Sequence, residues 1–244
     1  MVLPETVAPA PSLPPSLRRS DDYVVRIVAG KVSCTGTLID EQRVLTAHHC
    51  VAERNEGGHT LDRDVSPQVI TVELGGDYLP WGEVGVKAVV APPCGYQAGV
   101  GDLAILVLTR RLSGFPTARV ELDRMPMLGE SIEPVGFGRC ALSGDGLSRK
   151  LRPGGAISAV TADNFRLLAG ICPGDSGGPA LSREHRLLGL VSQSAMDGDE
   201  STLGESEFTR LDRWRTVFAN SAAIAQGVPA AALPPVECTA PGAL

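Results

Sequence analysis

The chain has 244 residues, of which 43% are hydrophobic, and a formal net charge of −6 at neutral pH. This length and apolar content exclude general disorder, and a negative net charge does not indicate a basic surface that would bind nucleic acid. No apolar run reaches the roughly 18 residues of a membrane span, and the N-terminus has no signal-peptide pattern. Gly (28) and Pro (19) are abundant, which favours an all-β protein with many tight turns.

The first half of the chain predicts a β unit over about 21–115. Residues 1–20 contain five prolines and indicate an extended tail or a propeptide remnant that precedes the domain at 21–244. A polar, Gly-containing stretch at 53–66 is expected to be a surface loop. The β-rich runs of this half lie at 23–28, 33–39, 43–47, 68–74, 83–91 and 101–108.

The second half predicts another β unit over about 128–210, after a connection at 110–129. Its β-rich runs lie at 130–138, 154–161, 164–169, 179–182, 186–193 and 205–210. At the C-terminus, apolar residues recur at helical spacing at Leu211, Trp214, Phe218 and Ala222. This spacing predicts an amphipathic helix over about 211–225.

One short stretch combines a serine with an acid and several glycines. Ser176 follows Gly174 and Asp175 and precedes Gly177 and Gly178. Glycines allow a sharp turn that exposes one hydroxyl and directs consecutive N–H groups at a common point. Acyl transfer needs such a nucleophile beside an oxyanion site, whereas a Gly-rich turn with an incidental serine is the alternative.

Six segments give this chain a family resemblance. They are Cys34–Ile39, Leu45–Cys50, Asp102–Leu106, Gly136–Gly138, Gly174–Pro179 and Phe208–Arg210. Their order resembles that of trypsin/chymotrypsin-like serine peptidases, and most closely the secreted bacterial members. The resemblance implies two six-stranded antiparallel β-barrels, a C-terminal helix and an active site between the barrels.

The resemblance also implies a serine endopeptidase that needs no cofactor or metal. Ser176 is the expected nucleophile, His49 the general base and Asp102 the acid that orients it, with N–H groups of Gly174 and Ser176 as the oxyanion hole. Asp77 competes with Asp102, but no apolar strand follows it. Partners would be a peptide or protein substrate and a protein inhibitor, while a catalytically silent binding protein on the same scaffold is the alternative.

Four residues are expected to bind substrate. Gly170 takes the position at the base of the specificity pocket where trypsin-like members carry an acid, which disfavours cleavage after Lys or Arg. Ser192, Gln193 and Ser194 replace the common Ser-Trp-Gly segment. Ser192 is expected to support Asp102, and Ser194 to narrow the pocket, so small or medium uncharged side chains are preferred.

Three departures from the family pattern concern activation and the histidine turn. His48 replaces a small residue and is expected to be a partly exposed loop histidine. Ile27 is rejected as an activation N-terminus that would pair with Asp175, because its segment is needed for the first hairpin. Arg139 is a candidate internal partner of Asp175, with a surface arginine as an equal alternative.

Six cysteines, without metal-ligand spacing, favour disulfides and an oxidising compartment, so a secreted or periplasmic location is expected. The resemblance implies Cys34–Cys50. It also favours Cys140–Cys172, because the loops that carry them are neighbours in this fold, and Cys94–Cys238 remains.

Overall fold

The first half of the chain forms eight strands in the computed structural model, which describes residues 11–14, 17, 19–76, 80–140, 148–195 and 203–238. The strands are β1 (Val24–Ala29), β2 (Val32–Asp40), β3 (Arg43–Thr46), β4 (Ala52–Arg54), β5 (Thr60–Asp64), β6 (Ile70–Leu74), β7 (Gly82–Val90) and β8 (Ala104–Leu108). Six of them close into an antiparallel barrel in the order β1-β2-β3-β8-β7-β6. β4 and β5 pair separately, in the region expected to be a loop. Both are short and mostly polar, so they lack the apolar alternation that reveals a strand.

Side-chain alternation explains how the barrel is filled. In β6, Ile70, Val72 and Leu74 are buried while the residues between them are partly exposed, because successive side chains of a strand point to opposite faces. Every residue of β8 is buried. Gly36 on β2 is needed where the interior is tight, since a Cβ there would lie 2.7 Å from Val44 Cγ1.

The second half forms a larger, barrel-like sheet. Its strands are β9 (Arg119–Val120), β10 (Ser131–Gly136), β11 (Lys150–Leu151), β12 (Gly155–Ala156), β13 (Ala159–Val160), β14 (Asn164–Ala169), β15 (Pro179–Ser182), β16 (Arg186–Ser194) and β17 (Gly204–Arg210). The main path is β11-β10-β15-β16-β17-β14-β13, with β12 beside β10 and β9 parallel to β16. The all-β class is therefore confirmed, with nine described strands, four of them two residues long, rather than six in this unit.

The C-terminal helix α1 (Arg215–Ala225) follows a 3₁₀ turn at Asp212–Trp214. Of the predicted apolar face, Leu211, Trp214 and Phe218 are buried and Ala222 is partly buried. At 11 residues, this α-helix of the described chain is too short to cross a membrane. Part of the expected N-terminal tail is also packed against the first barrel, because Leu13 is buried and its N–H donates to the Ser113 carbonyl at 2.9 Å.

Thr35 on β2 joins the first barrel to the serine-containing loop of the second half. Its N–H donates to the Ser176 carbonyl at 2.9 Å, and its hydroxyl donates to the Gly174 carbonyl at 2.8 Å. The same hydroxyl accepts the Phe137 N–H at 2.9 Å. Thr35 is fully buried, so water cannot replace these bonds, and the serine loop is fixed to the first barrel.

Replacing Thr35 with valine tests this junction. Thr35→Val keeps the side-chain shape but leaves the Gly174 carbonyl and the Phe137 N–H without their side-chain partner, so the free energy of unfolding should fall by about 1–3 kcal/mol. Urea unfolding measures the change. Thr109→Val is the control: it also removes a threonine hydroxyl bonded to a carbonyl, that of Gly85, but at an exposed position, and should change stability by less than about 0.5 kcal/mol. Equal effects of the two substitutions would contradict the buried role of Thr35.

Candidate active site

The loop that carries Ser176 has a backbone that glycine makes possible. Gly174 and Gly177 have φ values of 103° and 81°, which side chains rarely tolerate. A Cβ on Gly177 would also lie 2.2 Å from Thr46 Oγ1. The loop is closed by the N–H of Gly178, which donates to the Asp175 carbonyl at 2.8 Å. This turn leaves Ser176 half-buried at the surface.

Two N–H groups of this loop differ in their bonding from the one that lies between them. The N–H of Asp175 donates to the Cys172 carbonyl at 3.0 Å. Those on either side of it, at Gly174 and Ser176, donate to no acceptor within the part of the chain that the structure describes. They are the pair that the sequence predicts for the oxyanion hole.

The structure brings His49 and Asp102 together. Nδ1 of His49 lies 2.8 Å from Asp102 Oδ2, and its backbone N–H donates to Oδ1 at 3.0 Å. Asp102 is fully buried, and Ser192 Oγ donates to Oδ2 at 2.6 Å. Since the carboxylate only accepts, the proton of a neutral His49 ring is held on Nδ1 and Nε2 remains an acceptor. The competing acid, Asp77, lies outside the described residues.

The Cys34–Cys50 disulfide lies between His49 and the serine loop. Cys50 Sγ is 3.7 Å from His49 Nε2 and also 3.7 Å from the Ser176 carbonyl oxygen. The histidine ring and the Ser176 backbone therefore contact the same sulfur atom.

Cys34, His49 and Cys50 also form the one group of potential metal ligands found among the described residues. Both sulfurs are in a disulfide, so they cannot bind a metal as thiolates.

The other two disulfides are Cys94–Cys238 and Cys140–Cys172. All three pairings are those expected from the sequence. Cys140–Cys172 anchors the segment that leads into the serine loop. Cys94–Cys238 connects the residues that follow α1 to the segment that precedes Asp102.

Asp175 is paired with Arg152, not with Arg139. Arg152 Nε lies 2.9 Å from Asp175 Oδ2, and both side chains are buried. The Arg139 side chain is exposed, although its backbone N–H donates to the Pro173 carbonyl at 2.8 Å. The expected type of partner, an internal arginine, is present, but the candidate residue was wrong.

Backbone groups surround the Asp175 carboxylate closely. The N–H groups of Gly138 and Cys172 donate to it at 2.7 and 2.9 Å. A Cβ on Gly136 or Gly138 would lie 2.2 or 2.4 Å from carboxylate atoms, so both positions require glycine. Burial raises the pKa of the Asp175 carboxyl, and the Arg152 guanidinium and the two N–H groups oppose that shift.

His48 is buried, which contradicts the expected exposed loop histidine. Only 1% of its surface is accessible. Nε2 lies 2.8 Å from Asp64 Oδ1, and Nδ1 lies 3.2 Å from the Cys94 carbonyl oxygen. Asp64 belongs to the β4–β5 hairpin, in the segment 53–66 that was expected to be a surface loop, so a buried partner for His48 was not foreseen.

The expected substrate-binding residues lie at the ends of β14 and β16, the two strands that flank β17. Gly170 is buried directly after β14, where its N–H donates to the Pro153 carbonyl at 2.8 Å. Ser192, Gln193 and Ser194 end β16, at a register shift against β17. Ser194 Oγ lies 2.9 Å from the Ser206 hydroxyl of β17.

Sequence reasoning missed three residues of this region: Arg152, Thr35 and Ser206. Arg152 lies in no motif, and the pairing of β11 with β10 carries it to Asp175, a contact between distant parts of the chain. Thr35 had a signal, because it lies in the Cys34–Ile39 segment. Ser206 had none before the register of β16 and β17 was known.

Comparison with known sequences assigns the chain to a family. A family model described as Trypsin matches residues 14–214. Two relatives from Corynebacterium glutamicum, an uncharacterized peptidase of strain R and a putative peptidase of strain ATCC 13032, are each 26% identical over 199 residues, which is 73% of this chain. The chain spans 62% of the length of these relatives.

Three solved structures share the fold. A Glu endopeptidase bound to MPD has 17% identity and a TM-score of 0.63, covering 86% of this chain and 92% of that one. Neuropsin, a serine protease of mouse brain, has 19% identity and a TM-score of 0.62, covering 83% and 95%. An inactivated protease paralogue of the scabies mite has 17% identity and a TM-score of 0.62, covering 84% and 96%. At these identities the likeness shows the fold alone, but with the family match over residues 14–214 it follows that the chain belongs to the trypsin family and has the trypsin-like serine protease fold.

Proposed function

We propose that this chain is a serine endopeptidase that works through an acyl-enzyme, with Ser176 as nucleophile, His49 as general base and Asp102 as the orienting acid. The observation that carries the proposal is the Asp102 carboxylate, fully buried and bonded to both Nδ1 and the backbone N–H of His49. A buried acid in this arrangement sets the tautomer that a base needs. Family membership makes a peptidase the expected activity.

In the first half of the reaction, Ser176 Oγ attacks the carbonyl carbon of the scissile peptide bond. His49 Nε2 takes the hydroxyl proton, and Asp102 stabilises the resulting imidazolium. The tetrahedral oxyanion accepts hydrogen bonds from Gly174 and Ser176 N–H groups, which have no competing acceptor in the described chain. His49 then gives its proton to the leaving amine as the C–N bond breaks.

In the second half, water cleaves the acyl-enzyme. His49 Nε2 takes a proton from the attacking water, and the same two N–H groups bind the second oxyanion. The ester bond to Ser176 Oγ then breaks, and the proton on His49 returns to that oxygen. The free acid leaves, and the enzyme regains its starting protonation state.

Asp175 gives the oxyanion loop its shape without a newly formed N-terminus. Its carboxylate forms an ion pair with Arg152 and accepts a hydrogen bond from the N–H of Cys172, and Asp175 lies between the two proposed oxyanion donors in sequence. Because Arg152 is part of the same folded chain and pairs with Asp175 inside it, we infer that the oxyanion hole forms on folding. Activation by cleavage before Ile27 is then unnecessary, and Ile27 is fully buried in β1.

For the substrate, we propose a peptide or protein with a small or medium uncharged side chain before the scissile bond. Gly170 brings no charge to the expected pocket base, and the Ser194 and Ser206 hydroxyls bond to each other at 2.9 Å across β16 and β17.

Three disulfides suit a chain that works in an oxidising compartment. We therefore propose a secreted or periplasmic location, where a protein inhibitor is a further expected partner.

The nucleophile can be tested with a fluorophosphonate probe, which reacts with an activated serine. We expect the wild-type chain to be labelled and Ser176→Ala to remain unlabelled, because only an activated hydroxyl attacks phosphorus. Gel fluorescence measures the labelling, and circular dichroism checks the fold of both proteins. A folded but unlabelled wild type would favour the silent binding protein on the same scaffold.

The Arg152–Asp175 pair can be tested by removing its charge. Arg152→Gln leaves a buried carboxylate without its cation, which should lower the free energy of unfolding by about 3–5 kcal/mol. The oxyanion loop should lose its shape with it, so kcat/KM should fall by about 10²–10³-fold. Arg152→Lys keeps a cation but lacks the planar guanidinium, so its free energy of unfolding and its kcat/KM should lie between those of wild type and Arg152→Gln.

Arg139→Gln is the matched control for this experiment. The Arg139 side chain is exposed, so its removal should change stability by less than about 0.5 kcal/mol and leave kcat/KM unchanged. Loss of activity in Arg139→Gln with a normal Arg152→Gln would reverse the assignment.

Cleavage of a peptide library tests the proposed pocket. We expect a preference for Ala, Val or similar residues before the scissile bond, and Ser194→Gly should shift the preference towards larger side chains, because it removes one hydroxyl of the Ser194–Ser206 pair. Mass spectrometry of the products gives the preference. A wild-type preference for Lys or Arg would show that the pocket carries an acid that Gly170 does not supply.

A further inference from the structure

His48 lies directly before the proposed base, and both of its ring nitrogens face acceptors. The Asp64 carboxylate lies 2.8 Å from Nε2, and the Cys94 carbonyl lies 3.2 Å from Nδ1. Neither partner has a proton to give, since a carbonyl never carries one and an ionised carboxylate only accepts. The Asp64 side chain is 31% exposed and keeps its contact with water, as an ionised carboxylate requires.

The two acceptors decide which form of the ring fits. A neutral imidazole has one N–H and one lone pair, so it would satisfy one acceptor and turn its lone pair towards the other. The ring is only 1% exposed, and water cannot relieve that contact. The imidazolium has two N–H groups and satisfies both acceptors.

The remaining neighbours favour a positive charge. The Tyr96 ring lies 4.3 Å from the His48 ring, tilted by 39°, within the range of a cation–π contact. Burial raises the pKa of Tyr96, and the charges of Asp64 and Asp62 add to that shift, so both carboxylates act on this site. On the other side, the next residue, His49, is bonded to the Asp102 carboxylate.

The Cys94 carbonyl connects His48 to the segment that positions Asp102. A Cβ on Gly95 would lie 2.0 Å from the Gly101 carbonyl oxygen, and one on Gly101 would lie 2.7 Å from Cys94 Sγ. Residues 94 and 95 are thus in direct contact with Gly101, the residue before Asp102. Whatever holds the Cys94 carbonyl also holds the backbone from which Asp102 projects.

We propose that His48 is a positioning residue, kept as an imidazolium between Asp64 and the Cys94 carbonyl, that fixes the 94–101 segment beside Asp102. The effect on catalysis rests on the proposed function, whereas the charge state of His48 does not. Loss of the second proton breaks one of the two bonds and releases either the β4–β5 hairpin or the 94–101 segment.

The charge state can be measured by NMR of chains with ¹⁵N-labelled histidine. In the wild type at neutral pH, we expect both His48 nitrogens to carry protons. In Asp64→Asn the amide can donate to Nε2, so His48 should become neutral with one protonated nitrogen and keep both bonds. Asp62→Asn removes the same charge from an exposed neighbour that makes no bond to His48, and should leave the imidazolium in place. A neutral His48 in the wild type would overturn the proposal, and this result does not depend on turnover.

A direct substitution tests the positioning role. His48→Gln carries both of its N–H donors on one nitrogen, whereas the two acceptors face opposite sides of the His48 ring, so kcat should fall by about 10- to 100-fold through misplacement of Asp102, with KM changed by less than about threefold. His59→Gln, at an exposed histidine of the same hairpin, should have no effect. Equal kcat in His48→Gln and wild type would overturn the positioning role. If the wild type fails to react with the fluorophosphonate probe, the proposed function fails, and the NMR result still decides the state of His48.

Discussion

The buried ion pair between Asp175 and Arg152 is the constraint on which the serine loop depends. A carboxylate that is fully excluded from water is destabilised unless a cation and hydrogen-bond donors surround it. Here the Arg152 guanidinium and the N–H groups of Gly138 and Cys172 surround it, and Gly136 and Gly138 leave the space that it occupies. Since Asp175 lies between Gly174 and Ser176, its position determines where both flanking N–H groups lie.

Residues of the first barrel contact the serine loop directly. Thr35 bonds to the carbonyls of Gly174 and Ser176, and the Cys34–Cys50 disulfide contacts both the Ser176 carbonyl and the His49 ring. Asp102 is held in turn by Ser192 of the second half. Each half of the chain therefore holds residues of the other half in place, so the positions of Asp102 and of the serine loop depend on the contact between the two halves.

Features that depend on residues close together in the sequence could be predicted, and features that depend on contacts between distant parts of the chain could not. Strands such as β6 were predictable because apolar and polar residues alternate along them, and the terminal helix because its apolar residues recur at helical spacing. Both patterns are local in sequence. His49, Asp102 and Ser176 were located through short motifs, and the structure brings the first two into contact. Arg152 could not be found, because only the pairing of β11 with β10 carries it to Asp175. The burial of His48 was missed for the same reason, since Asp64 lies in a polar hairpin without a strand pattern.

The central claim is that Ser176 attacks a carbonyl whose oxygen is received by the N–H groups of Gly174 and Ser176, in a loop already shaped by Arg152 and Asp175. A crystal structure of the chain after reaction with a phosphonate inhibitor tests it most directly. The account predicts phosphorus bonded to Ser176 Oγ and one phosphonyl oxygen within about 2.7–3.1 Å of both nitrogens, with the ion pair unchanged. A bond to another residue, or a phosphonyl oxygen that contacts neither nitrogen, would contradict it.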